Sequence, residues 1–150
     1  MNNIYLSLGS NIGEKKKYLQ QAISLLQQEN EIIKTSHFYN TKPMYYEQQG
    51  WFLNCVVYGK TSLSPHGLLQ YVHRIEQKLG RKRIQKYGPR TIDIDILFYG
   101  DKIILGRDLV IPHPLLHERL FVLQPLCDIA PELIHPVLKK STKELLEVIK

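Results

Sequence analysis

The sequence predicts an α+β fold of the ferredoxin-like split β-α-β-β-α-β plan, an antiparallel sheet with helices packed on one face and a C-terminal wrap. Three observations lead there. Several segments alternate apolar and polar residues with a period of two, two segments carry an apolar stripe at helical spacing, and the last third is punctuated by prolines.

Each element follows in order. Ile4, Leu6 and Leu8 alternate with Tyr5, Ser7 and Gly9, the pattern of a half-buried strand. Asn11 followed by Glu14 has the form of a capping box, and Leu19, Ala22, Ile23 and Leu26 then recur as one helical stripe. Two further strands are expected from about Glu31 to Tyr39 and from Phe52 to Lys60. The connection between them holds Thr41, Lys42, Pro43, Gly50 and Trp51, and it is long for a hairpin, as functional loops often are. Ser64-Pro65 sets an N-cap residue before a first-turn proline, after which Leu68, Val72, Ile75 and Leu79 mark a second helix that Gly80 ends. Ile92, Ile94, Ile96 and Phe98 then alternate with Thr91, Asp93, Asp95 and Leu97, a strand with one apolar face. Beyond it, Pro112, Pro114, Pro125, Pro131 and Pro136 predict a wrap of turns, with short strands near Ile103 and Phe121 and a last amphipathic helix from about Thr142 to Ile149.

A chain of 150 residues is expected to form a single domain over 1–150, large enough to bury a core without disulfides or a structural metal. Its two cysteines, Cys55 and Cys127, have no metal-ligand spacing and are expected to be structural. No basic, apolar leader opens the sequence and no stretch approaches the roughly 20 apolar residues that cross a bilayer, so a soluble cytoplasmic protein with no membrane partner is expected. Without heptads or a large apolar strip, a monomer is the default. The net charge of +6 favours anionic partners. That charge gathers in Lys15, Lys16 and Lys17, which read as a solvated helix face, and in Arg81, Lys82, Arg83, Lys86 and Arg90, which lie just before two aspartates.

Those aspartates are the most informative residues. In the run Gly88-Pro89-Arg90-Thr91-Ile92-Asp93-Ile94-Asp95, alternation puts both carboxylates on the face opposite the isoleucines, about 6.5 Å apart along the strand. Two acids so placed repel each other and are disfavoured in strands, unless cations offset them. Salt bridges to nearby arginines would do so. So would Mg²⁺, typically held by one or two carboxylates, waters and substrate phosphates. Arg81, Arg83, Lys86 and Arg90 suit a polyphosphate, so the combination points to phosphoryl-type transfer, in which the protein mainly positions reactants and neutralises charge. No G-x-x-x-x-G-K-[ST] loop and no nucleophile elbow is present, so the nucleotide site must be built differently and covalent catalysis is not expected.

Across nearly its whole length the chain resembles the hydroxymethyldihydropterin pyrophosphokinase family. The resemblance rests on Leu8-Gly9-Ser10-Asn11, Phe52-Leu53-Asn54, Arg74-Ile75-Glu76 with Gly80-Arg81, the Gly88-to-Asp95 run, Ile111-Pro112-His113 and Ile129-Ala130-Pro131-Glu132. It implies attack of the 6-hydroxymethyl oxygen of 6-hydroxymethyl-7,8-dihydropterin on the β-phosphorus of ATP, with AMP leaving. Asp93 and Asp95 would hold two Mg²⁺ ions, and Arg81 and Arg90 would act as movable catalytic clamps. The resemblance assigns Glu76, Arg83, Ile96, His113 and Arg119 to ATP together with those arginines, and Thr41, Pro43, Met44, Phe52, Asn54 and Phe121 to the pterin. Without the resemblance, Glu76 reads as a surface carboxylate paired with Arg74 or Lys78, and Asn54 as a satisfied strand asparagine. The chain departs from the family's pattern at Lys42, Phe52, Tyr87 and Pro114.

Two other classes compete. The split βαβ plan and the basic charge also occur in RNA-recognition modules, but such a module would carry aromatics where this chain carries Asp93 and Asp95, which repel phosphates without a metal. The chain is therefore expected to bind no nucleic acid. A small ligand-binding domain without catalysis is the remaining alternative, separated by whether AMP forms from ATP, Mg²⁺ and the pterin alcohol.

Overall fold

In the computed structural model, residues 1–42, 50–80 and 91–150 are described. Strands β1 (Asn2–Ser10), β2 (Asn30–Thr35), β3 (Tyr39–Thr41), β4 (Phe52–Thr61) and β5 (Asp93–Tyr99) form one antiparallel sheet in the order β2-β4-β1-β5, with β3 added on β4. Helices α1 (Lys15–Leu26) and α2 (Pro65–Lys78) provide the two crossovers, so the expected split plan is the observed one. A two-stranded ribbon of β6 (Ile104–Leu105) and β7 (Val110–Ile111) follows, then a 3-10 turn (Leu116–Glu118), α3 (Leu120–Ile129) and α4 (Thr142–Ile149).

Alternation in the strands divides the apolar residues between two layers. Ile4, Leu6 and Leu8 of β1, Cys55 and Val57 of β4, and Ile94 and Ile96 of β5, with Ile92 just before it, face α1 and α2, where Leu19, Ala22, Leu26, Leu68, Val72 and Ile75 complete the larger core. Each Val, Leu or Ile side chain among them contributes roughly 1.5–3 kcal/mol by leaving water. The opposite face is covered in part by the C-terminal wrap: Val56, Leu97 and Phe98 pack against Val122, Leu123 and Leu126 of α3 and Leu145 and Leu146 of α4. The wrap is thus a second helical layer. Both cysteines are free, and burial pushes the Cys55 thiol up to about 12, which leaves it an inert core residue.

Local signals explain both ends of α2 and the start of α4. Ser64 Oγ accepts the Gly67 N–H at 3.1 Å ahead of Pro65, and Gly80 leaves α2 at φ +87°, a conformation open to glycine. Ser141 and Glu144 form a reciprocal capping box on α4.

Three expectations are corrected. The strand foreseen from Glu31 to Tyr39 stops at Thr35, because Ser36 takes over the ladder: its N–H donates to Val56 O and its Oγ accepts the Val56 N–H, both at 2.9 Å. The capping box of Asn11 and Glu14 does not form; Asn11 Nδ2 donates instead to Gly50 O at 3.3 Å, and α1 begins without a side-chain cap. Phe121 lies in α3 rather than on a strand. Pro125 argued against a helix there, since it lacks an N–H and crowds the preceding turn, but the buried stripe of Val122, Leu123, Pro125 and Leu126 outweighs that cost.

Candidate active site

The sheet face away from α1 and α2 carries a polar floor at one end. Gly9 of β1 pairs with Asn54 of β4 on one side and Asp93 of β5 on the other; Ser7 pairs likewise with Val56 and Asp95. With strands about 4.8 Å apart, the backbones of Asn54 and Asp93 stand roughly 10 Å from each other across Gly9. Glycine is required at that point, because a Cβ on residue 9 would lie 2.5 Å from Asn54 Oδ1 and 3.4 Å from the Phe52 ring. The Asn54 amide therefore lies over Gly9, on the side of the aspartates. Its Nδ2 donates to Thr41 Oγ1 on β3, and the residue is only 4% exposed.

Asp93 and Asp95 are both half-buried, while Ile92, Ile94 and Ile96 beside them are buried in the helix-side core. Their neighbours on β1 are the two smallest polar or side-chain-free types, Gly9 and Ser7, which leaves room above the carboxylates. These are hard oxygen donors. Among the described residues no group of three or more His, Cys, Asp or Glu could hold a metal ion, so an ion here would take two protein carboxylates and fill its shell with water and phosphate oxygens. That is the donor set Mg²⁺ prefers.

Glu76 is 3% exposed, and its Oε2 accepts the Ile94 N–H at 2.9 Å. It is not the surface carboxylate that Arg74 or Lys78 would pair. The reason is topological: among the described residues β5 ends the sheet, so its outward N–H groups find no neighbouring strand there, and a buried one needs an acceptor. Glu76 supplies it from α2, directly between the two aspartates in sequence. The Ile96 side chain is in the core, and alternation places its backbone on the same open edge as that of Ile94.

His113 and Arg119 come to the aspartate end from the wrap. The His113 N–H donates to Leu97 O at 3.0 Å, and its Nδ1 accepts the Leu115 N–H at 3.2 Å, so the neutral ring carries its proton on Nε2. Burial first, and then the Arg119 charge, hold its pKa down to about 4 against the opposing pull of Asp93. His113, Arg119 and Asp93 are therefore electrostatic neighbours. Arg119 caps α3, and its guanidinium lies 5.5 Å from the centroid of the Phe121 ring.

The fold thus brings Thr41, Phe52 and Asn54 together at one end of the floor, and Asp93, Asp95, His113 and Arg119 at the other. Pro43, Met44, Arg81, Arg83 and Arg90 lie outside the described residues. Sequence reasoning missed the part played by Gly9, whose need to be glycine is visible only once β1 is known to run between β4 and β5. Lys16 and Lys17 do form an exposed face, but sequence reasoning did not foresee that Lys15 Nζ donates to Trp51 O at 2.8 Å, with Lys42 Nζ 5.8 Å over the Trp51 ring. No local pattern announces a contact 36 residues apart.

Residues 5–131 match the family model described as 7,8-dihydro-6-hydroxymethylpterin-pyrophosphokinase. The chain is 46% identical over 144 residues to the 2-amino-4-hydroxy-6-hydroxymethyldihydropteridine pyrophosphokinase of Aquifex aeolicus, covering 96% of this chain and 90% of that protein. It is 48% identical over 135 residues to the enzyme of the same name from Bacillus subtilis, covering 88% of this chain and 81% of that one. The HPPK-DHPS protein of Plasmodium falciparum superimposes with a TM-score of 0.80 at 22% identity over 99% of this chain, which spans 43% of the longer one. That likeness speaks to the fold.

Proposed function

This chain belongs to the 7,8-dihydro-6-hydroxymethylpterin-pyrophosphokinase family and transfers pyrophosphate from ATP to the hydroxymethyl group of its pterin substrate in folate biosynthesis, and we propose that it does so across the floor of Gly9 and Ser7. The family match leaves the nucleic-acid-binding alternative without support. On this reading the pterin edge, which mixes donors and acceptors, is read by Asn54 and Thr41, with Phe52 and Phe121 against the ring and Pro43 and Met44 supplying further contacts. ATP lies towards β5, where Glu76, Arg81, Arg83, Arg90, Ile96, His113 and Arg119 meet it. Asp93 and Asp95 hold two Mg²⁺ ions, which when bound offset charge on the attacking and leaving oxygens.

The chemistry asks little covalent work of the protein. The pterin oxygen bonds to the β-phosphorus, the bond from that phosphorus to the oxygen bridging to the α-phosphorus breaks, AMP leaves with that oxygen, and the hydroxyl proton is released. Two demands then fall on this chain: aligning the reactants and neutralising a spreading negative charge. Asn54 serves the first. His113, neutral and with its proton on Nε2, is a donor that adds no charge of its own, while Arg81, Arg90 and Arg119 supply positive charge. The backbone edge of β5 at Ile96 is suited to an adenine, whose rim also alternates donor and acceptor. The chain is taken to act as a single-domain monomer in the cytoplasm, as its sequence suggests. No helix among the described residues is long and apolar enough to cross a membrane.

The observation that carries the reading is the Gly9 register, which sets an amide and two carboxylates on one floor, on the strands either side of β1. The test is AMP release from ATP with Mg²⁺ and the pterin alcohol, compared between the native chain and Asp95→Asn. A well-folded variant that has lost AMP formation supports the assignment, and one that retains near-native rates across a Mg²⁺ titration removes it.

A further inference from the structure

Resting on that reading of the pterin end, we propose that Tyr39 and Asp128 form a positioning pair that sets the width of the pterin slot. The Tyr39 hydroxyl lies 2.8 Å from both oxygens of the Asp128 carboxylate, and His37 Nδ1 lies 3.2 Å from Oδ2 of the same group. Tyr39 begins β3 and pairs with Asn54; two residues on, Thr41 accepts the Asn54 Nδ2 hydrogen bond. Asp128 sits in the last turn of α3, the helix whose other end carries Arg119 and Phe121.

β3 needs such a tie. It is three residues long and, among the described residues, joined to the sheet through β4 alone, so its own ladder fixes it weakly. The Tyr39–Asp128 contact links it to a helix already anchored by Val122, Leu123 and Leu126. Phe121 and Asp128 are seven residues apart, which places them on one side of α3 about 10.5 Å from each other along its axis. The hydrogen bond at Asp128 therefore holds β3 at a fixed spacing from the helix face that presents Phe121. On that reading of the site, Asn54 and Thr41 form one wall of the slot and Phe121 the other. A flat heterocycle is sensitive to that spacing, because ring contact and edge hydrogen bonds must be satisfied together.

The link is built to persist. Burial and the Asp128 carboxylate push the Tyr39 hydroxyl up to about 12, so it remains a donor throughout the neutral range. The Asp128 side chain is 23% exposed, accessible enough for substitution without opening the core. Neither residue is placed against a reacting atom; both act through Thr41 and Asn54.

Tyr39→Phe, Asp128→Asn and Asp128→Ala are to be compared with the native chain by calorimetry with the pterin and, separately, with a non-hydrolysable ATP analogue, and by KM and kcat. Loss of a hydrogen bond to a charged group is expected to weaken pterin binding about fivefold to tenfold in Tyr39→Phe and Asp128→Ala. ATP-analogue affinity and kcat should stay within about twofold, and Asp128→Asn, which keeps one acceptor for the phenol, should recover most of the lost affinity. Equal losses for both ligands, or a fall in melting temperature with pterin affinity unchanged, would mean a merely structural contact and overturn the proposal. Asn54→Ala separates the two levels. If it loses pterin affinity while the Tyr39 and Asp128 variants do not, the positioning role fails and the pterin site stands; if none of them loses pterin affinity, the site reading itself fails.

Discussion

The two faces of the central sheet are made by the same strands and do opposite things. Towards α1 and α2, β1, β4 and β5 present Ile4, Leu6, Leu8, Cys55, Val57, Ile94 and Ile96, and one N–H on the edge of β5, that of Ile94, is taken by Glu76. Towards the wrap, the same strands present Val56, Leu97 and Phe98 under α3 and α4, but beyond that cover they present Asn54, Gly9, Ser7, Asp93 and Asp95. The difference teaches that stability and chemistry are separated by a strand period of two. A slip of one residue in β5 would exchange isoleucines for aspartates, so the packed face fixes the register on which the polar face depends.

Substitutions on adjacent residues of β5 should therefore part company. Asp95→Asn is expected to lower kcat by about 10²-fold or more, the scale of removing a group that offsets charge in a transition state, with little change in melting temperature. Ile94→Ala is expected to cost about 2–5 kcal/mol of stability through the cavity it leaves, while the folded fraction keeps most of its turnover per molecule. Denaturant unfolding beside steady-state kinetics reads both. A large stability loss in Asp95→Asn would break the division.

A smaller effect sharpens the comparison at the pterin end. Gly9→Ala would push its methyl group into the Asn54 amide, 2.5 Å away, and should weaken pterin binding by about 1–3 kcal/mol, as Asn54→Ala should, because in both the ring's partner is displaced or absent. The two changes should not add, since they remove one interaction. Additive losses measured by calorimetry would show that Gly9 acts elsewhere.

The smallest expected effect is a pH dependence. The His113 pKa is about 4 in the folded chain against 6.5 ordinarily, so between those values the unfolded chain binds a proton that the folded chain does not. Its contribution to stability is present above pH 6.5 and is lost as the pH falls towards about 4. His113→Gln should flatten the stability profile in that window. It should not abolish the slope, because burial also lowers the pKa of His135, with a further lowering from His117. Thermal melts of both proteins from pH 7 to pH 4 give the comparison, and parallel profiles would contradict it.

Much of this division is legible in the sequence, and the rest is hidden for definite reasons. Asp93 and Asp95 stand out because alternation with isoleucines is a local signal, and α2 stands out because its cap, stripe and terminal glycine agree. The end of β2 at Thr35 is hidden because Ser36 replaces backbone pairing with a side-chain hydroxyl, which no propensity records. The helix at Phe121 is obscured by Pro125, a breaker that tertiary packing overrides. Glu76 flanks the apolar stripe of α2, four residues after Val72, so its position is legible, but its bond to the Ile94 N–H follows only once β5 is known to lie at the edge of the sheet. Tyr39 and Asp128 are 89 residues apart and meet only because β3 hangs beside α3.

The central claim is that the Gly9–Ser7 floor, bounded by Asn54 on one strand and Asp93 and Asp95 on the other, is where the transfer occurs. Replacing Mg²⁺ by paramagnetic Mn²⁺ in the complex with a non-hydrolysable ATP analogue and the pterin tests it most directly. Backbone amide signals of Ser7, Gly9, Asp93, Asp95 and His113 should broaden, while those of β2 and α4 stay sharp, and Asp93→Asn combined with Asp95→Asn should abolish the effect. Broadening centred on other elements, or unchanged by that double substitution, would contradict the account.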